Sequence, residues 1–255
     1  MIYDGFMFFN ELELLEIRLH ELSDVVDRFI LVESPITHSG KHKPLYFAAA
    51  REEPRFAPFL DRIEHVVVDL PLGAGHHQSW QRENDQRRAI ARGLRAFGPG
   101  DLLMVSDADE IPAADALSVY APVMGVAGCE QMLSYFYANA VGGGWVGTRI
   151  VPFAAYQREP DLHVYRTHLD HRIKNAGWHF SYLGGAERVR AKLASFAHTE
   201  LDKPEFMARV DESVRDAKLI WDAAARCQVV PLDARFPRHL VENQERFANL
   251  IKAVT

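Results

Sequence analysis

The chain has 255 residues, 48% of them hydrophobic, enough to fill one substantial α/β core. Its formal charge of −6 and sequence pI near 6.1 provide no general basic field, which argues against nucleic acid as the primary ligand. The two cysteines, Cys129 and Cys227, are too few for a disulfide framework and lack the paired spacing of a zinc site, so a reducing compartment is expected.

The stretch YDGFMFFN, Tyr3–Asn10, reads as a strand, after which Leu12, Leu15, Leu19 and Leu22 recur at helical spacing. Acids inside this apolar N-terminal run argue against both a secretory signal and a membrane span. A cytoplasmic location follows as the expectation, with any work at a membrane being peripheral. RFILVES (Arg28–Ser34) has the short, β-rich form of a buried strand, PITHSGKHKP (Pro35–Pro44) is a loop, and IEHVVVDL (Ile63–Leu70) is a further strand. From Trp80 to Phe97 a helix is predicted, with Ile90, Leu94 and Phe97 on one face and Asn84, Arg87 and Arg88 toward another. After Gly98-Pro99-Gly100, DLLMVS reads as a central strand.

This alternation predicts an α/β fold with a mostly parallel sheet and helices on both faces. Beyond Pro112 the pattern changes to longer strands, CEQMLSYFYANAV and WVGTRIVPFAAY, interrupted at Gly142, Gly143 and Gly144, as in an antiparallel C-terminal extension. Ala176–His198 reads as strand, glycine turn and helix. One helix is expected from about Pro204 to Ala225, and a short one at the end. A single domain over 1–255 results, with halves at 1–112 and 113–200 and a helical tail at 201–255.

The chemistry concentrates in LLMVSDADEIP, where Asp107, Asp109 and Glu110 follow an apolar strand. In extended chain, residues two apart share a side, so Asp107 and Asp109 face one way while Ala108 turns back. Ligands of open α/β sheets collect at such strand ends, and two hard oxygen ligands with open positions suit Mg²⁺ or Mn²⁺. The same acids equally suit the N-terminus of a helix starting near Pro112.

The ordered set YDGFMFFNELELLEIRLHEL, FILVES, THSGKHKPLYF, WQRENDQRRAI, VSDADEIP and AGWHFSYLGG resembles glycosyltransferase family 17 from about Tyr3 to His198. The resemblance implies a nucleotide-sugar transferase of GT-A type, with a Rossmann-like sheet presenting Asp107 and Asp109 as the Asp-x-Asp motif to a metal-bound diphosphate. It also implies inversion, N-acetylglucosamine from a UDP donor, and a carbohydrate acceptor. On this basis 1–112 is the nucleotide-sugar side, 113–200 the acceptor side, and His179 completes the metal site or simply bonds to backbone. An inverting reaction needs a base, for which Glu110, Glu187 and Asp161 are open choices.

Glu33 is placed to accept from the nucleobase or ribose, and Arg82, Asn84 and Arg87 to form a nucleotide wall. Gly184 and Gly185 open a helix whose N-terminus suits a phosphate. Lys41 and Lys43 lie in a loop that can close over the donor, and Trp145 is the aromatic expected to be exposed. Two other classes stay open: a metal-dependent phosphohydrolase, although Ile111 departs from its usual pattern, and a noncatalytic carbohydrate-binding protein.

Overall fold

The computed structural model describes residues 1–73, 75–222 and 224–254. Four apolar strands, β1 (Ile2–Met7), β2 (Arg28–Glu33), β3 (Ile63–Val67) and β4 (Leu102–Asp107), pair in parallel in the order β3-β2-β1-β4. Successive side chains go to opposite faces. Phe6, Phe29, Leu31 and Met104 meet the helix Leu12–Leu22, whereas Ile30, Val32, Leu103 and Val105 meet Ile90 on the other face. Gly5 permits that second contact, because a Cβ there would stand 2.3 Å from Ile90 Cγ2.

The helix expected over Trp80–Phe97 spans His76–Arg88 and tightens into the 3-10 turn Ala89–Gly93, so it starts and ends earlier. Gly93 lies directly on β2, where a Cβ would come within 2.5 Å of Ile30 Cγ2, and the chain leaves the helix there.

Past β4 the sheet is mixed rather than the antiparallel extension expected. A turn leads into β5 (Glu110–Pro112), followed by β6 (Ala127–Tyr135), β7 (Ala140–Pro152), β8 (His171–Ile173), β9 (Gly177–Ser181) and β10 (Gln228–Val229). Strand β7 is antiparallel to β4, β6 and β10, and β5 to β9, but β8 and β9 run parallel to β6. Gly142, Gly143 and Gly144 lie inside β7 instead of interrupting it, and Gly142 leaves room for the Tyr135 ring, 2.9 Å from where its Cβ would be.

The helix expected near Pro112 begins only at Asp115, because Glu110–Pro112 is drawn into the sheet against Gly177–His179. The single tail helix is replaced by Pro204–Met207 and Val210–Asp216, the latter ending where Ala217 turns left-handed at φ 52°. Ala223, within the expected helix, lies outside the described residues. Phe236, Leu240, Phe247 and Leu250 then pack on Leu14 and Ile17 of the first helix. Among the described residues no helix is long and apolar enough to cross a membrane.

One ion pair sits inside this frame. Asp4 of β1 and Arg18 of the helix Leu12–Leu22 are fully buried and joined by hydrogen bonds of 2.7 and 2.6 Å. Arg18 also donates to Ser106 Oγ at 2.6 Å and to the carbonyls of Asp107 and Glu110 at 3.2 and 3.0 Å. A planar guanidinium can hold all of these at once, which a lysine cannot. The end of β4 and the start of β5 therefore hang on one side chain. Arg18→Met leaves the Asp4 carboxylate buried and unpaired, and urea denaturation should show about 3–5 kcal/mol less stability.

Candidate active site

A cavity of about 590 Å³ opens where β1, β2 and β4 end. It is bounded by Phe8 and Phe9 after β1, Thr37 and His38 after β2, Asp107 at the end of β4 and Asp109 just past it. Both acids face it, for a different reason from strand alternation: Ala108 and Asp109 form a turn, which Arg18 holds from beneath through the backbone carbonyls on either side.

Each acid meets cations brought from elsewhere. Arg87 Nη2 lies 3.0 Å from Asp107 Oδ1 and Arg166 Nη2 lies 3.4 Å from Asp107 Oδ2. Lys192 Nζ donates to Asp109 Oδ2, and His179 Nε2 lies 3.6 Å from the same oxygen. Desolvation opposes ionisation here, but the guanidiniums of Arg87 and Arg166 outweigh it and bring the Asp107 carboxyl down to about 2. At Asp109 desolvation is likewise overcome, by Lys192 and His179, and its pKa lies well below the usual carboxylate range.

Glu110 turns the other way. Fully buried, it accepts from Arg166 Nη1 and Trp145 Nε1, each at 2.7 Å, and from the Asp107 amide at 3.1 Å. It is outside the cavity lining, whereas Arg166 and Trp145, which it holds, are part of it. Trp145 is 37% exposed, as expected, with the Arg166 guanidinium 5.4 Å from its ring centroid. His179 faces the cavity between Trp178 and Phe180, which are buried in the core.

The donors available suit a divalent ion. Asp107 Oδ1, which meets Arg87 as an ion pair without a hydrogen bond, and His179 Nδ1 are buried and have no hydrogen-bond partner among the described residues, and the carboxylates of Asp107 and Asp109 are both held ionised. A tighter cluster, Glu16, His20 and His239, has ligand atoms within 4.8 Å of one another but does not suit an ion. Its imidazoles stack at 3.7 Å with planes 7° apart, so their in-plane lone pairs cannot converge, and Arg246 already spans Glu16 with bonds of 2.6 and 2.7 Å.

Several expected site residues are committed elsewhere. Glu33 is fully buried, accepting from the amides of Phe47 and Ala48 at 3.0 and 3.4 Å and bonded to His65 Nε2 at 3.1 Å, so it ties a helix to the sheet. Arg82 spends its guanidinium on the carbonyls of His38, Pro71 and Gly73, joining two loops. Asn84 is half-buried and outside the cavity lining, and Arg87 is buried against Glu83 and Asp107 rather than open to a phosphate.

Gly184 and Gly185, at φ +97° and +89°, make the turn into the helix Ala186–Leu193, but the opposite end of that helix faces the cavity. Glu187 is exposed on its first turn, away from the cavity lining, and Asp161 is engaged by Arg88 at 2.9 and 3.0 Å. Neither is placed as a base. Lys43 lines the cavity, while Lys41 donates to the Ala194 carbonyl at 3.3 Å.

Four residues outside the sequence expectations build the site: Arg18, Glu11, Arg166 and Lys192. Lys192 had a legible signal, since it shares a helical face with Val189 and Phe196 and is the charged member of that face. Glu11 lines the cavity just past β1 and accepts from the amides of Phe9 and Asn10 at 3.1 and 3.0 Å. Of the carboxylates lining the cavity, it alone has no ion pair among the described residues; burial pushes its pKa up.

A family model described as glycosyltransferase family 17 matches residues 1–231. The beta-1,4-mannosyl-glycoprotein 4-beta-N-acetylglucosaminyltransferases of Homo sapiens and Rattus norvegicus are each 33% identical to this chain over 112 residues, 42% of its length and 21% of theirs. The matched segment thus spans about a fifth of those relatives. Among solved structures, the inositol-1-phosphate CTP transferase from T. maritima is 14% identical with a TM-score of 0.35, covering 83% of this chain and 97% of that one. That likeness is too slight to bear on fold or function.

The ionised Asp107 stabilises the folded chain above its ordinary pKa of 3.8, and this contribution is lost as pH falls toward about 2. Asp107→Asn should therefore flatten the acid limb of a calorimetric melting profile between those two values.

Proposed function

The chain belongs to glycosyltransferase family 17, and we propose that it is an inverting transferase moving N-acetylglucosamine from a UDP donor to a hydroxyl of a glycan or lipid-linked saccharide. The observation that carries this reading is the pair Asp107 and Asp109 on one cavity wall at the carboxyl edge of the parallel strands, with Lys43, Arg166 and Lys192 around the same space. That arrangement suits a diphosphate, whose negative charge the local cations meet although the chain as a whole is acidic. The strand order β3-β2-β1-β4 with the acids following β4 supports a GT-A type fold. The choice of sugar follows the activity in the relatives' names.

In this mechanism Asp107 and Asp109, with His179 beside them, would hold Mn²⁺ or Mg²⁺, which supplies Lewis-acid neutralisation of the diphosphate. Arg166 and Lys192 face the charge that develops on the departing phosphate. Glu11 takes the proton of the acceptor hydroxyl, whose oxygen bonds to the anomeric carbon as the bond to the diphosphate breaks. Its lack of an ion pair and its raised pKa suit a base better than the paired Glu110 or Asp161.

UDP-N-acetylglucosamine with Mn²⁺ should raise the melting temperature, and Asp109→Asn should abolish that shift; no shift in the parent protein would overturn the proposal. Glu11→Gln should keep the donor-induced shift while kcat falls by about 10²- to 10⁴-fold. Because the base works ionised and burial raises its pKa, kcat/KM should decline as pH falls through a value above the ordinary 4.5. A decline that survives Glu11→Gln would assign the proton to another group.

A further inference from the structure

We propose that Lys192 is an exchangeable cation: it stands beside Asp109 in the free protein and passes to the donor's diphosphate when the divalent ion enters, which couples ion and nucleotide binding. This rests on the reading of Asp107 and Asp109 as the ion's ligands.

The three cations at the acidic turn are tethered differently. Arg87 is 1% exposed and bound to both Glu83 and Asp107. Arg166 is fixed by Glu110 and stacks against Trp145. Lys192 has a single side-chain hydrogen bond among the described residues, to Asp109 Oδ2. Its side chain is 23% exposed and lines the cavity, with Nζ 5.3 Å from the Tyr182 ring centroid. A flexible four-carbon stem can move its charge within the cavity, as a fixed fork cannot.

Asp109 is only 4% exposed, so removing its partner with nothing in exchange would leave a buried, uncompensated carboxylate. Lys192 serves that purpose in the free protein. A divalent ion at the same oxygen repels the ammonium at close range. Ion binding alone must therefore displace Lys192 from its one hydrogen-bonded partner toward Glu11, the cavity carboxylate without an ion pair among the described residues. A diphosphate arriving with the ion offers the ammonium a larger negative charge in the same space. The ion should accordingly bind weakly alone and more tightly with nucleotide, and by linkage the nucleotide gains the same factor from the ion.

The test titrates Mn²⁺ into the full chain by electron paramagnetic resonance of the free ion, and UDP by calorimetry with and without saturating Mn²⁺. Lys192→Met should bind Mn²⁺ alone about tenfold more tightly than the parent, while the factor by which Mn²⁺ improves UDP binding falls by a similar amount. Lys192→Arg, which restores the charge, should bring back weak Mn²⁺ binding. Should Lys192→Met fold poorly, Lys192→Gln gives the same readout. Mn²⁺ binding that depends on Asp107, by Asp107→Asn, but is equal or weaker in Lys192→Met overturns the exchange alone. Absence of Mn²⁺ binding, or binding that survives Asp107→Asn, overturns the metal reading and the exchange with it.

Discussion

Asp107, Asp109 and Glu110 stand within four positions at the end of one strand, and each needs an opposite charge before it can be withdrawn from water. The fold supplies those charges from separate places. Arg87 comes from the helix His76–Arg88, Arg166 from a short 3-10 turn, and Lys192 from the helix Ala186–Leu193. Arg18 holds the backbone of the turn from below. The acidic turn thus ties four chain segments to one point, and breaking any buried pairing leaves an uncompensated charge. Such pairs add little net stability compared with apolar packing. What they contribute here is a defined position for each charge around the cavity.

Electrostatics and cavity shape then act together. An acidic chain with no general basic field places Lys43, Arg166 and Lys192 around one cavity, beside two ionised carboxylates. Anionic and cationic side chains are thereby brought close together against the same concave space. The pairings also differ among the cations. Each arginine has a second partner, while the lysine has one side-chain hydrogen bond among the described residues, to Asp109.

Much of the frame was legible from the chain. Strands β1, β2, β3 and β4 follow short β-rich runs, the first helix follows its leucine spacing, and the strand, glycine turn and helix after Ala176 stand where their pattern indicates. Even here, local pattern and tertiary demand diverged. Glu110–Pro112 would serve as the entry to a helix but became a strand because β9 offered a pairing edge, and the tail helix broke at Ala217. The pairings of β6 with β8 and β9 had no local signature, since parallel neighbours are decided across long stretches of chain.

At the site, the sequence by itself determined which acids lie at the end of β4 and that His179 points away from the side its aromatic neighbours bury, because strand periodicity and burial are local properties. Only the tertiary structure decided which charges oppose them. Arg82 and Glu33 have the right chemistry but are consumed by loop carbonyls and a helix terminus, whereas Glu11, Arg166 and Lys192 reach the cavity from remote segments. The physical reason is that a charged side chain's role depends on its nearest opposite charge in space, and neighbours along the chain do not disclose it.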